Sequence, residues 1–376
     1  YYRRALEIDP DYTKANLAMG VRLAKNGSYA AAKPYLERAV KRATQNHTRA
    51  LDAAPEYYLA LVERGLGNLK RAEDLFWRCT WRLTHKKESY VELARLASLK
   101  GDRTEALARI DDALQLGQDE AKLWTMKGVF LRKLGKKAEA KACFARALEC
   151  DPLEYWGVVE KDGLDEAEKN RGLKAQQLME CVCDYWGIGC WDEVIALCDA
   201  ALAKAADEKP YATEGALPLK ETLAACASYR NPMFGYFKAY AAAKRDRGSG
   251  IGDQVEKALD AAGKMATDYC FPSRLEELAV LQWAAGRADV SANTQYYLGE
   301  ILWNMDQKDS GLAAWKRTVE LNPKHALALR CIGFALSHPG TYFTNTGVPS
   351  GIASREAYDH YLKSLAAEPH FRTLDE

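Results

Sequence analysis

The sequence lacks a surplus of either charge, with 53 Lys and Arg against 52 Asp and Glu in 376 residues. A net charge of +1 argues against a broad basic face, so we expect no nucleic-acid partner. No run approaches the roughly 18 apolar residues of a membrane span, and no membrane partner is expected. Only 12 residues are Pro, whereas nine Trp, twenty Tyr and nine Phe argue against intrinsic disorder. The abundant Ala, Leu, Lys and Glu favour helices.

The chain begins at Tyr1 rather than at Met, and its opening YYRRALEIDP is typical of the last helix of a unit that started earlier. We therefore expect a fragment of a longer protein, whose true N-terminus would carry any export signal. The expected localisation is cytoplasmic, and export stays open for that reason.

Ten cysteines are spread through the chain. Most lie in helical, apolar contexts, among them Cys143, Cys150, Cys198 and Cys226. A chain of this length does not need disulfides for stability, so we predict free, buried thiols in a reducing compartment.

Small residues recur with one shared period. Four series in the N-terminal half have the same steps of 40, 34 and 34 residues. They are Gly20, Ala60, Ala94 and Gly128; Gly27, Gly67, Gly101 and Gly135; Ala32, Ala72, Ala106 and Ala140; and Ala39, Cys79, Ala113 and Ala147. Gly299 and Gly333 repeat the 34-residue step near the C-terminus. Such a period predicts stacked supersecondary units.

Each unit is predicted to be two antiparallel helices. The first and third series let the helix backbones approach closely, and large residues such as Trp124 and Phe144 fill the remaining space. The glycines of the second series end the first helix in a left-handed conformation. Asp9-Pro10, Asp151-Pro152 and Asn322-Pro323 end second helices. Because one pair cannot bury its own apolar face, the predicted fold class is an all-α superhelix, a solenoid of antiparallel helix pairs.

The repeat pattern is clear in the N- and C-terminal parts of the chain and weak between them, which predicts three segments. Residues 1–154 carry N-terminal repeats, residues 155–290 degenerate helical repeats, and residues 291–376 C-terminal repeats. Loop-like breaks are predicted at 206–218 and 244–253. The last repeat carries twelve extra residues, which we place in a loop at 338–351.

The pattern resembles tetratricopeptide repeats, most specifically over residues 87–154 and 292–337. Five strings, in this order, also resemble one bacterial family: AEDLFWRCTW (72–81), ALECDPLEYW (147–156), NPMFGYFKAY (231–240), DYCFPSRLEELAVL (268–281) and YYLGEILW (296–303). Its members are large proteins with an uncharacterised β-sandwich domain, similar to galactose mutarotases, ahead of a tetratricopeptide array. The resemblance implies that this chain is the C-terminal array and that carbohydrate handling belongs to the upstream domain.

The sequence offers no catalytic or metal constellation. It contains no GxxxxGK[ST], no HExxH and no paired CxxC motif. GSGIGD (248–253) is better explained as a linker turn than as an anion-binding loop. Cys181 and Cys183 are better explained as packing residues than as metal ligands, because residues two apart on a helix point in different directions. Carboxylates are expected on solvated faces, in surface pairs with Lys or Arg. We therefore predict no catalytic residue, no metal and no cofactor in this fragment, and no enzyme activity.

The string DYCFPSRLEE has a local structural explanation. Phe271 and Pro272 would set a turn, Ser273 would cap the following helix, and Glu276 would complete the capping box. Arg274 would then serve as a buried ion-pair partner for an acid. Ligand binding is the less favoured alternative.

The first helix of each pair is expected to line the concave surface. Its predicted partner-binding residues are Tyr57, Tyr58, Arg64, Arg95, Met126, Arg132, Tyr296, Tyr297, Glu300, Trp303 and Arg330. Aromatic side chains with a polar tip suit protein contact, where one end is buried and the other is wet. The alternative is that these residues pack against neighbouring helices or the missing domain.

Two functions are compatible with the sequence. The first is a non-catalytic scaffold that binds a protein or peptide, or docks its own upstream β-sandwich domain. The alternative is an accessory helical part of a carbohydrate-processing enzyme, in which the sugar is held through the missing domain. The enzymatic status of the full-length protein is left open by this sequence.

Overall fold

The computed structural model describes residues 1–45, 52–208, 228–246, 252–267, 269–337 and 355–368. Over these ranges the chain forms twenty α-helices and no strand, which confirms the all-α, helix-pair fold class. It divides into two compact units, Tyr1–Cys190 and Trp191–Glu376. The division falls inside the predicted middle segment, and the boundaries at 154 and 290 stay predictions.

The first unit holds twelve helices. They are α1 Tyr2–Ile8, α2 Thr13–Lys25, α3 Tyr29–Ala43, α4 Ala54–Gly65, α5 Leu69–Cys79, α6 Lys86–Leu99, α7 Arg103–Leu114, α8 Ala121–Lys133, α9 Lys137–Cys150, α10 Tyr155–Asp162, α11 Leu164–Arg171 and α12 Ala175–Gly187. Helices α2 to α9 pack as four consecutive pairs, and each second helix also packs against the first helix of the next pair. This nearest-neighbour packing is the solenoid arrangement that the period predicts.

The described part of the second unit holds eight helices. They are α13 Trp191–Asp207, α14 Met233–Arg245, α15 Gly252–Lys264, α16 Leu275–Ala285, α17 Ala292–Asn304, α18 Lys308–Leu321, α19 Ala326–Ser337 and α20 Arg355–Ala367. Helices α17 to α20 form two pairs, whereas α14 packs against α13, α15 and α16.

Glycine contacts set the spacing within the pairs. A β-carbon on Gly128 would lie 2.3 Å from Cε1 of Phe144, and one on Gly299 would lie 2.3 Å from Cδ1 of Trp315. Real β-carbons do not approach a neighbour so closely, so any larger residue would force the two helices apart. The predicted close approach of small and large residues is confirmed at both positions.

Left-handed glycines end the first helices of the clearest pairs. Gly27, Gly67, Gly101 and Gly135 have φ of 69°, 81°, 90° and 81°. The backbone N–H after each of these glycines bonds back to a carbonyl of the helix, as in Asn68 N to Glu63 O at 2.8 Å. The predicted role of this glycine series is confirmed.

The Asp-Pro and Asn-Pro pairs behave as predicted. Asp9, Asp151 and Asn322 are the C-caps of α1, α9 and α18, with φ between −133° and −144°. Proline disfavours the helical conformation in the residue before it, so each helix ends there.

Helices extend into both predicted loop breaks. Helix α13 continues through Asp207, α14 through Arg245, and α15 begins at Gly252. Good helix formers such as Ala205 and Lys244 extend these helices into the breaks. Residues 209–218 of the first break, 247–251 of the second, and the predicted loop 338–351 lie outside the described residues.

The predicted cap at Ser273 is wrong by one residue. Arg274 is the N-cap of α16, and the carboxylate of Glu277, rather than Glu276, accepts the backbone N–H groups of Ser273 (2.7 Å) and Arg274 (2.8 Å). The Glu277 side chain is buried, at 2% exposure. Arg274 forms the expected ion pair with it, at 3.4 Å.

Nine cysteines are described, and all of them are free thiols. Cys143 and Cys198 are buried, whereas Cys150 is half-buried. Cys226 lies outside the described residues. Free thiols agree with the prediction.

Candidate interaction surface

Buried glutamates hold the predicted arginines of the first unit. Glu92 on α6 accepts from Arg64 of α4 and from Arg95 at 2.8 Å. The Glu92 side chain is only 6% exposed. Burial alone would raise the pKa of Glu92, but the two guanidinium groups outweigh it and hold the pKa below its ordinary value. Glu92 is therefore ionised, and it links two successive first helices.

A second link of the same kind joins α8 to α10. Arg132 donates from Nε and Nη2 to the two oxygens of Glu160, at 2.8 and 2.7 Å. The hydroxyl of Tyr185 on α12 donates to the same carboxylate, at 2.7 Å. Burial, followed by the nearby Glu160 charge, raises the pKa of Tyr185 well above its ordinary value, so the phenol keeps its proton. Arg132, Glu160 and Tyr185 thus link α8, α10 and α12.

For Glu92 and Glu160 these links correct the expectation that carboxylates lie on solvated faces, whereas pairs such as Lys264 with Asp260 are exposed as predicted. Arg64 and Glu92 are 28 residues apart, and so are Arg132 and Glu160. In each case the arginine comes from the last turn of one first helix and the glutamate from the next first helix, Glu92 near the middle of α6 and Glu160 near the end of α10. A 28-residue Arg-to-Glu spacing in a 34-residue period is therefore the sequence signal for these buried pairs.

Tyr57, Tyr58 and His85 form a half-buried aromatic cluster on α4 and at the start of α6. The rings of Tyr57 and His85 stack with centroids 4.4 Å apart and an angle of 3° between them. Tyr58 meets both rings edge-on, at 5.5 and 5.7 Å. Burial, then the charges of Glu92 and Glu88, raises the pKa of Tyr57, and its hydroxyl remains a hydrogen-bond donor. All three residues are half-buried, so part of each remains exposed.

The second unit contains an equivalent cluster that is buried. Tyr296, Tyr297 and His325 are 4%, 0% and 7% exposed. The Tyr296 ring lies 5.0 Å from that of His325 and 5.4 Å from that of Tyr297. The Tyr297 hydroxyl donates to the carbonyl of Ala266, at 3.4 Å. The tyrosines are thus enclosed by their own unit.

His325 is neutral in this cluster. Burial lowers its pKa to about 4. Its Nδ1 accepts from the backbone N–H of Ala328 at 3.2 Å, so the ring proton is on Nε2, which donates to Oδ1 of Asn293 at 3.0 Å. The imidazole therefore acts as a helix cap and as a link between α17 and α19.

Glu300, Trp303 and Arg330 remain half-buried on the same unit. Burial raises the pKa of Glu300, and the positive charge of Arg330 acts against this shift. The thiol of Cys331 lies 3.2 Å from Oε1 of Glu300. The ammonium group of Lys308 lies 4.3 Å from the Trp303 ring centroid, a cation–π contact.

Three of the eleven predicted contact residues are buried, contrary to the exposure that a contact role requires. Met126 is 2% exposed, and Tyr296 and Tyr297 are enclosed as described. Close packing of α8 buries Met126. The other eight are half-buried, and their role in binding stays a prediction.

The described residues contain no group of three His, Cys, Asp or Glu side chains arranged for a metal ion. Within the same ranges, every helix is too short or too polar to cross a bilayer.

A tetratricopeptide-repeat family model matches residues 121–152, which are helices α8 and α9. The tetratricopeptide resemblance is confirmed for this pair. The upstream β-sandwich domain that the narrower resemblance implies stays a prediction.

Several solved structures are similar to the chain at low identity. MamA is 20% identical over 40% of this chain and 85% of its own, with a TM-score of 0.37. The C-terminal part of a tetratricopeptide-repeat protein from Cytophaga hutchinsonii is 13% identical over 87% and 90%, with a TM-score of 0.38. A tetratricopeptide-repeat protein from Parabacteroides merdae is 13% identical over 86% and 98%, with a TM-score of 0.35.

Proposed function

We propose that the chain is a non-catalytic protein-interaction scaffold and that its main contact surface is the inner face of α4 and α6. The observation that carries the proposal is the half-exposed cluster of Tyr57, Tyr58 and His85. Half-buried tyrosines offer a partner a large apolar area and a hydrogen-bonding tip, which is the chemistry of interface hot spots.

The stacking and packing of the cluster support a binding role. Tyr57 packs against the core cluster that contains Phe76 and Leu93, and Tyr58 packs against the cluster that contains Leu59 and Val62. Because the rings are already fixed by stacking and packing, a partner orders little on contact, and less free energy is lost to side-chain entropy.

The charges of this face favour a protein partner over a polyanion. Arg64 and Arg95 are each about one-third exposed, and both point at the carboxylate of Glu92. Glu88, which lies on α6 together with Arg95 and Glu92, is exposed. Two cations and two anions leave the local surface near neutrality, so we propose a peptide or protein segment with apolar and polar side chains, and no nucleic acid.

The remaining half-buried residues belong to the proposal as additional contacts. These are Arg132 in the first unit and Glu300, Trp303 and Arg330 in the second. Met126, Tyr296 and Tyr297 are left out because their side chains are buried.

The test is a selection of a displayed peptide library on the immobilised chain. Wild type should retain peptides, and the double variant Tyr57→Ala/Tyr58→Ala should lose them by tenfold or more, or about 1.4 kcal/mol. Tyr12→Ala is the matched control, since Tyr12 is also an exposed tyrosine of the first unit, at 45% exposure. Equal retention by the double variant and wild type would refute the assignment of this surface.

A domain elsewhere in the same polypeptide would use the same chemistry as a separate partner. If adding such a domain in trans displaces the selected peptides from wild type, the surface serves intramolecular docking. No observation among the described residues favours the carbohydrate-enzyme alternative, and we do not propose it.

A further inference from the structure

Helix α12 lies on the side of the first unit that carries the Arg–Glu links. Tyr185 of α12 donates to the carboxylate of Glu160 on α10, which also accepts from Arg132 of α8. The Tyr185 ring meets that of Trp156 on α10 edge-on, with centroids 5.4 Å apart. Helix α12 therefore covers part of the face on which the first helices α8 and α10 are linked.

The contacts of α12 reach beyond the helices next to it in the chain. Asp184 forms an ion pair with Lys122 of α8, at 2.8 Å. The carbonyl of Ile188, directly after α12, accepts from the hydroxyl of Ser98 in α6, 90 residues earlier. It also accepts from Arg103 at the start of α7, at 3.3 Å. This segment thus contacts α6, α8 and α10, whereas a strictly nearest-neighbour stack would place it against α10 and α11 alone.

The buried side of α12 is apolar. Leu178, Val182 and Tyr185 are 0%, 0% and 3% exposed, and their spacing of four and three residues places them on one face. A left-handed glycine stands near each end of the helix, Gly172 with φ of 66° and Gly189 with φ of 69°. Helix α12 is therefore an amphipathic helix with a turn on either side, and it is continuous with neither neighbour.

Charged groups cluster where α12 meets α8 and the start of α10. Glu154, the N-cap of α10, is half-buried there. The ammonium group of Lys122 acts on it together with the carboxylates of Asp184 and Glu180 of α12 and of Asp151, the C-cap of α9. Burial raises the pKa of Glu154 to about 7; Lys122 opposes this shift, and the three carboxylates add to it. Because two of these carboxylates belong to α12, its docking favours the protonated form of Glu154.

We propose that α12 is a pH-dependent latch on this face of the first unit, held while Glu154 is protonated and loosened when Glu154 is ionised. The pKa of Glu154 is raised in the folded state, so its contribution is fully present below the ordinary value of 4.5 and is lost as the pH rises to about 7. Arg95 of α6 acts on Lys122, and burial raises the pKa of the Cys181 thiol well above its ordinary value. Neither group changes its charge in this range. The latch is separate from the aromatic cluster of α4 and α6 and does not depend on partner binding there.

Hydrogen exchange of the full 376-residue chain at pH 5.5 and pH 7.5, corrected for the intrinsic exchange rate, tests the latch. Protection of α12 should fall about tenfold between the two pH values, while that of α9 should change by less than about twofold. Helix α19 gives an internal contrast, because the lowered pKa of His325 makes its protection rise over the same interval. Unchanged protection of α12, or a loss in α9 as large as that in α12, would overturn the proposal.

An isosteric substitution tests the role of Glu154. Glu154→Gln keeps the size and polarity of the side chain but cannot ionise, so protection of α12 should stay high at both pH values. Glu139→Gln is the matched control, because Glu139 is exposed on α9, and it should keep the tenfold change of wild type. Circular dichroism of each variant checks that the helices are retained. A Glu154→Gln variant whose α12 still loses protection about tenfold would reject Glu154 as the controlling group.

Discussion

The two Tyr-Tyr-His clusters use the same residue types at the same places in their helix pairs, yet differ in exposure. In the first unit the rings of Tyr57 and Tyr58 are half-exposed, whereas Tyr296 and Tyr297 of the second unit are enclosed. The end of α15 and the residues after it contribute to this difference. Ala266 accepts from Tyr297, and Asn293 donates to the carbonyls of Gly263 and Met265, so this segment is held against α17. The comparison shows that a neighbouring irregular segment helps to enclose an aromatic cluster that is half-exposed in the other unit.

Truncation of the tyrosines should give the largest contrast between the two clusters. Tyr297→Ala removes a fully buried ring and should cost about 3–5 kcal/mol of local stability. Tyr58→Ala removes a half-exposed ring and should cost about 1 kcal/mol. Because repeat arrays do not unfold in one step, hydrogen exchange of α17 and α4 is the measurement. Equal losses of protection would contradict the difference in burial.

Acid should destabilise the buried cluster. The pKa of His325 is lowered in the folded state to about 4 from an ordinary 6.5, so the unfolded chain takes up the proton first. Stability is therefore fully present above pH 6.5 and is lost as the pH falls towards 4, by on the order of 2–3 kcal/mol. Hydrogen exchange of α19 at pH 7 and pH 4.5 measures the loss. His325→Asn should reduce this pH dependence; an unchanged slope would show that other groups cause it.

Overpacking should affect both units alike, in contrast to the tyrosine variants. Gly128→Leu and Gly299→Leu each place a side chain against a large aromatic residue and should cost about 1–3 kcal/mol. Thermal unfolding followed by circular dichroism measures the effect. A melting curve unchanged in either variant would show that its helix pair is not packed as described.

Loss of one charge link should give the smallest effect. Glu160→Gln keeps an acceptor for Arg132 and Tyr185 but removes the negative charge, at a cost of about 1 kcal/mol. The matched variant Glu139→Gln lies on an exposed helix position and should change stability by less than about 0.5 kcal/mol. Urea unfolding compares the two, and a larger loss for Glu139→Gln would contradict the buried link.

The sequence predicts the fold well because periodic positions carry geometric demands. Gly128 and Gly299 have no room for a side chain, and Gly101 needs a positive φ. Small residues therefore recur at such positions with a 34-residue spacing that can be read from the sequence. The site is less predictable. Glu92 is held in part by Arg64, which lies on another helix, and Tyr297 is held by a segment around Ala266 that has no periodic pattern. Neither dependence is local in sequence.

The pairwise packing of the first unit has a mechanical consequence. Helices α2 to α9 contact mainly the pairs beside them, so tension along the unit is carried from one pair to the next rather than through a common centre. Under a pulling force such a stack should yield in small successive steps, each releasing about one helix pair. The released helix pairs should then refold one after another as the force decreases.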